Sequence, residues 1–141
     1  MRAEKINDNN KDLVIDLLQN VNGLRLVNYI VNNCHLLLNE TDDINGTISY
    51  EKYNKYALIR YFVFKKNIVY EDLLVLYEHL NEELKNKCFS ECIAIINSEE
   101  VKMVFEYLGF DKVDNSKVFL EETNFNNTVY KDNEVYVKKI S

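Results

Sequence analysis

The sequence predicts an α/β (α+β) fold, a mixed central sheet of about six to seven strands flanked by about four helices. Three stretches carry that expectation. Cys92-Ile93-Ala94-Ile95-Ile96 is an unbroken apolar run, the pattern of a strand buried on both faces of a mixed or parallel sheet. Leu73, Leu74, Leu76, Tyr77, Leu80 and Leu84 recur at helical spacing, with Glu78, Glu82 and Glu83 on the wet face. Val101, Val104, Phe105 and Leu108 repeat that spacing and close on Gly109-Phe110.

The remaining elements follow in order. Residues 2–7 read as a short strand. Asn9 or Asn10 then caps a helix carrying Leu13, Val14, Leu17, Leu18 and Val21, and Gly23 marks its stop. Leu24, Val27, Ile30 and Val31 suggest a second short helix, and Cys34–Asn39 a strand. Thr41–Gly46 supplies a turn. Ile44–Lys52 and Ala57–Phe64 are expected as two antiparallel strands joined around Asn54. Leu73–Asn86 is the third helix and Glu91–Ile96 the strand after it. Asn97 and Glu100 have capping-box spacing at the start of the fourth helix. Val118–Leu120 and Val135–Ile140 are the expected closing strands.

The 141 residues suit one domain, 1–141, with a real core. No Pro and three Gly leave few positions where a positive φ comes without strain, so most of the chain is expected in regular elements. Net charge is −6, and the short pairs Lys65-Lys66 and Lys138-Lys139 are too small to draw a polyanion, which argues against nucleic acid. No apolar run reaches the roughly 18 residues that span a bilayer. Met1-Arg2-Ala3-Glu4-Lys5 leads into polar sequence, so a cytoplasmic location without membrane contact is expected. Cys34, Cys88 and Cys92 are read as free thiols. Adding His35 makes a four-ligand set on paper, but buried thiols are the commoner outcome and no metal is expected. His35 and His79 read as lone histidines. The aromatics around the hairpin, Tyr50, Tyr53, Tyr56, Tyr61, Phe62 and Phe64, read as packing across paired strands.

Three segments carry a family resemblance. Ile44-Asn45-Gly46-Thr47-Ile48-Ser49-Tyr50 enters the third strand. Ile95-Ile96-Asn97-Ser98-Glu99-Glu100 joins the fifth strand to the fourth helix. Phe105-Glu106-Tyr107-Leu108-Gly109-Phe110 ends that helix. In this order, β–α–α–β–β–β–α–β–α–β–β, the chain resembles the GNAT (GCN5-related) N-acetyltransferases over most of its length. The resemblance implies an acyl-CoA N-acyltransferase fold and acetyl-CoA as cofactor. It implies that Phe62, Val63 and Phe64 orient the pantetheine. It places the pyrophosphate at Lys65, Lys66, Asn67, Ile68, Val69 and Tyr70, with Asn97 and Phe105 also at the cofactor.

Two positions depart from the family pattern. The loop has no glycine, where the family uses glycine to bring backbone N–H groups to the pyrophosphate. Ile68 and Tyr70 are bulky, and Glu71 and Asp72 add negative charge at the helix start, which Lys65 and Lys66 offset in part. The usual acid, a Tyr four residues before the Gly, is Phe105. Tyr107 points about 200° round the helix. Glu51, near the end of its strand, is the candidate base.

Two functions follow. The first is an acyl-CoA-dependent N-acetyltransferase acting on an amine of a small molecule or protein. The second is a catalytically inactive GNAT-fold module, for binding or assembly in a host or phage setting, whose partner is a protein. Either works as a monomer or homodimer. An unrelated α/β domain is the third reading.

Overall fold

A computed structural model describes residues 1–140. The elements are β1 (Arg2–Lys5), α1 (Lys11–Gln19), α2 (Asn28–Val31), β2 (His35–Leu38), β3 (Ile44–Tyr53), β4 (Tyr56–Phe64), α3 (Tyr70–Asn86), β5 (Glu91–Ile96), α4 (Glu99–Tyr107), β6 (Asp111–Val113), β7 (Phe119–Leu120), β8 (Thr123–Asn124) and β9 (Glu134–Lys139). Seven strands form a mixed sheet in the order β1-β2-β3-β4-β5-β9-β6. The β4–β5 pair is parallel, while β1–β2, β2–β3, β5–β9 and β6–β9 are antiparallel. The predicted mixed sheet with four helices is therefore found. The chain divides into two compact units, Met1–Glu51 with Arg60–Glu82, and Lys52–Ile59 with Glu83 onward.

In the first unit β2 is buried along its whole length. Leu36 and Leu38 join Val14, Leu18, Ile30, Val31, Cys34 and Tyr61 in one apolar cluster. Residues one step along the strand point the other way. There His35 meets His79 of α3. The stripe Leu73, Leu76, Tyr77 and Leu80 is fully or almost fully buried, as its spacing required. Gly46 of β3 packs closely: a Cβ there would meet the Val63 carbonyl at 3.4 Å and Leu76 at 3.5 Å.

In the second unit β5 pairs with β4 and β9, and Cys92, Ile93 and Ala94 are all buried. Leu58, Ile93, Val118, Leu120, Phe125 and Val135 make its core. The Gly109-Phe110 ending of α4 is a Schellman cap. Phe110 N–H donates to the Phe105 carbonyl at 3.0 Å and Gly109 N–H to that of Glu106 at 3.1 Å. Gly109 takes φ +92°, and the Phe105 and Phe110 rings meet at 4.9 Å, the apolar contact such a cap brings. Lys138 Nζ donates to the Leu108 carbonyl at 2.7 Å and answers another open carbonyl of the helix end.

Several expectations change. Asn10 occupies the α1 cap position, but its side chain accepts from Asn7 N–H at 2.7 Å and not from the helix. Helix α1 ends at Gln19, ahead of Gly23. The cap of α4 is Ser98, whose hydroxyl accepts from Val101 N–H, so Asn97 lies one residue outside and is exposed. Helix α3 starts three residues earlier than its apolar stripe, at Tyr70. Asp111–Val113 forms a strand the sequence did not mark, and Phe119–Leu120 pairs with Thr123–Asn124 in a separate two-stranded ribbon. Asp42, Asn54, Tyr61, Asn67, Cys88 and Glu121 all take positive φ, so scarcity of glycine did not keep the chain out of that region.

Candidate functional site

The segment from β4 into α3 in the first unit carries the candidate phosphate loop. Lys65 N–H donates to the Asn45 carbonyl at 3.0 Å, which ties the end of β4 to the start of β3. Ile68 N–H then donates back to the Lys65 carbonyl at 3.3 Å, closing a turn over Lys65–Ile68. Asn67 stands at its third position with φ +70°. That conformation usually belongs to glycine, and asparagine is the side chain that tolerates it best. The loop lacks glycine but not the left-handed residue.

Helix α3 opens immediately afterwards. Asp72 and Leu73 N–H groups donate to the Val69 carbonyl at 3.1 and 3.4 Å. The turn and the first helical bonds thus use Lys65, Ile68, Asp72 and Leu73, and neither uses the N–H groups of Lys66, Asn67, Val69 and Glu71. Lys65, Lys66 and Asn67 are exposed, and Ile68 and Tyr70 are half-buried. Glu71 and Asp72 lie in the first turn of α3, as read from the sequence. Lys65 also borders a cleft of about 440 Å³ shared with Asp16, Asp42 and Asp43.

Upstream on β4, Tyr61 takes φ +50° inside the strand and is 4% exposed. Its hydroxyl donates to the Arg25 carbonyl at 2.8 Å and accepts from Val27 N–H at 2.7 Å. The hydroxyl of the fully buried Thr47 donates to its carbonyl at 2.8 Å. Phe62, Val63 and Phe64 follow, all half-buried, with the Phe62 and Phe64 rings 5.1 Å apart.

Glu51 sits in a three-residue cluster. Arg60 Nη1 donates to Oε1 at 2.6 Å and the Tyr29 hydroxyl to Oε2 at 2.9 Å. Burial, and then the Glu51 hydrogen bond, push the Tyr29 phenol above its usual range, so it stays protonated. The sequence marked Glu51 but not its partners, which lie on α2 and β4. His35 and His79, read as lone, meet with Nδ1 atoms 2.7 Å apart. No spacing rule links residues 44 positions apart.

In the second unit Asn97 is exposed outside the Ser98 cap. Phe105 is 2% exposed and packed on Phe110, while Tyr107 is 43% exposed. Cys34 and Cys92 are buried and Cys88 is exposed. Among the described residues no group of three or more His, Cys, Asp or Glu is placed to hold a metal ion. No helix there is long and apolar enough to cross a membrane.

No family model matches the sequence, and no curated protein matches it either. Solved structures do. A GNAT-family acetyltransferase from Staphylococcus aureus superposes with a TM-score of 0.72 at 15% identity, covering 99% of each chain. A Mycobacterium tuberculosis protein solved with CoA superposes at 0.74 and 9% identity over 100% of both chains. N-acetylglutamate synthase from Neisseria gonorrhoeae, solved with coenzyme A and N-acetyl-glutamate, gives 0.74 at 12% identity, over 99% of this chain and 35% of that one. At such identities the likeness speaks for the backbone alone, and it agrees with the resemblance in the sequence: this chain has the GNAT acyl-CoA N-acyltransferase fold.

Proposed function

We propose that this chain is an acyl-CoA-dependent N-acetyltransferase whose phosphate-binding turn is Lys65–Glu71. The observation that carries the reading is the left-handed Asn67, followed by N–H groups that the turn and helix leave unused. Alternating backbone conformations at a helix N-terminus make an anion-binding concavity, and the helix dipole adds to it. Lys65 and Lys66 stand exposed beside it and offset Glu71 and Asp72. The residues present therefore fit a pyrophosphate without a glycine. The CoA-bound neighbours from Mycobacterium and Neisseria support the same ligand class.

Bound there, the cofactor supplies an acyl thioester open to attack by an amine. Phe62, Val63 and Phe64 offer backbone groups to the pantetheine. Glu51 is the candidate base. Each of its oxygens already accepts one hydrogen bond, from the Tyr29 hydroxyl and from Arg60, and each keeps a further lone pair with which to take a proton from an amine. Phe105 has no proton to give and is fixed against Phe110, which removes the usual acid. That one feature favours a second reading, a module that binds CoA or a protein without transfer.

Thiol release from acetyl-CoA in the presence of polyamines, amino acids, amino sugars and lysine peptides separates the two. Amine-dependent release is expected. CoA binding without release from any amine would select the second reading. A folded protein that binds neither CoA nor acetyl-CoA at millimolar ligand would overturn the first.

A further inference from the structure

The strongest unexplained feature of the first unit is Tyr61. A bulky side chain at φ +50° within a strand is an outlier that persists only where its surroundings over-determine it. Three hydrogen bonds do so. The phenol donates to the Arg25 carbonyl and accepts from Val27 N–H, both in the segment before α2, and the Thr47 hydroxyl donates to the Tyr61 carbonyl. The Arg60 guanidinium lies 5.6 Å from the ring centroid and covers it. Glycine would adopt this φ without strain. A tyrosine adds something glycine cannot, a side chain that fixes this left-handed residue in one conformation. A left-handed residue within a strand re-aims the strand that follows it. Here that strand is Phe62–Phe64, running straight into the Lys65–Ile68 turn.

We propose that Tyr61 is a positioning residue, which through its phenol clamp holds the Phe62–Phe64 backbone in the line that receives the pantetheine arm. The proposal rests on the acyl-CoA reading above. It separates two parts of the ligand. The phosphates meet the turn at Asn67, which Tyr61 does not touch. The arm meets β4, whose direction Tyr61 sets. A loss of the clamp should therefore be felt by a ligand with the arm and not by one without it.

The test compares CoA with 3′-phosphoadenosine 5′-diphosphate, which keeps the pyrophosphate and lacks pantetheine. Tyr61→Phe preserves the ring and removes two of the three hydrogen bonds. It is expected to weaken CoA about tenfold and to leave the diphosphate probe within about twofold of wild type. Thr47→Val removes the third bond from the opposite end and should show the same asymmetry, which keeps the test alive if Tyr61→Phe fails to fold. Equal losses for both ligands would show a merely structural role and overturn the proposal, as would no loss for either. Wild type that binds neither ligand overturns the acyl-CoA reading itself, and this proposal with it.

Discussion

The Nδ1 atoms of His35 and His79 lie 2.7 Å apart, with the rings edge to face and His35 only 2% exposed. A hydrogen bond between two such nitrogens requires one to carry the hydrogen and the other its lone pair, so the two rings take different tautomers or share one extra proton. The bond joins β2 to α3, two elements that the sequence places far apart.

Removing one ring leaves the other buried without this bond. His79→Ala is expected to cost about 1–3 kcal/mol of stability in urea unfolding. The double variant His35→Leu with His79→Leu should cost less than the two single changes added together, because the one bond between the rings is then counted once. Additive losses would mean that the nitrogens do not interact.

The Gly109 position gives a sharper backbone prediction. Its φ of +92° is strained for any L side chain, and an added Cβ would stand 3.3 Å from Lys138 Nζ. Gly109→Ala should destabilise the protein by about 1–2 kcal/mol. Lys138→Met, which removes the bond to the Leu108 carbonyl but leaves the backbone alone, should cost less. Thermal melts of the two variants check the order.

The buried thiols set an alkaline limit. Burial pushes Cys34 from its ordinary 9.0 up to about 11, and pushes Cys92 in the same direction. The folded state then keeps its Cys34 proton where the unfolded state releases it. The stability this contributes is complete below pH 9.0 and is lost as pH rises through about 11. Unfolding free energy should fall across that window, and Cys34→Ala should flatten part of the fall. A disulfide reagent should titrate the exposed Cys88 quickly and the other two thiols only on unfolding.

Apolar periodicity made the frame legible. The Leu73–Leu84 stripe and the Cys92–Ile96 run are where the sequence placed them, because burial on one helical face or both strand faces leaves a direct imprint on residue type. Caps were harder: Asn97 and Ser98 are both good cap residues, and only the observed bond to Val101 chooses Ser98. The site was legible by segment more than by atom. The connection from β4 to α3 lies where the sequence placed it, but the absence of glycine hid the left-handed turn that Asn67 supplies. Glu51 was marked without Tyr29 and Arg60, and His35 without His79, since long-range side-chain pairs have no periodic signature. The strained φ of Tyr61 had no sequence signal at all.

Calorimetric titration of CoA into wild type and into Asn67→Val tests the pyrophosphate turn directly. The turn at Asn67 should give wild type saturable binding in the micromolar range. A β-branched residue disfavours positive φ and should weaken that binding about tenfold or more without unfolding the protein. Asn67→Gly, which keeps the turn, should bind as wild type does. Equal affinity in wild type and Asn67→Val, or no binding by folded wild type at millimolar CoA, would rule out the Asn67 turn as a pyrophosphate site.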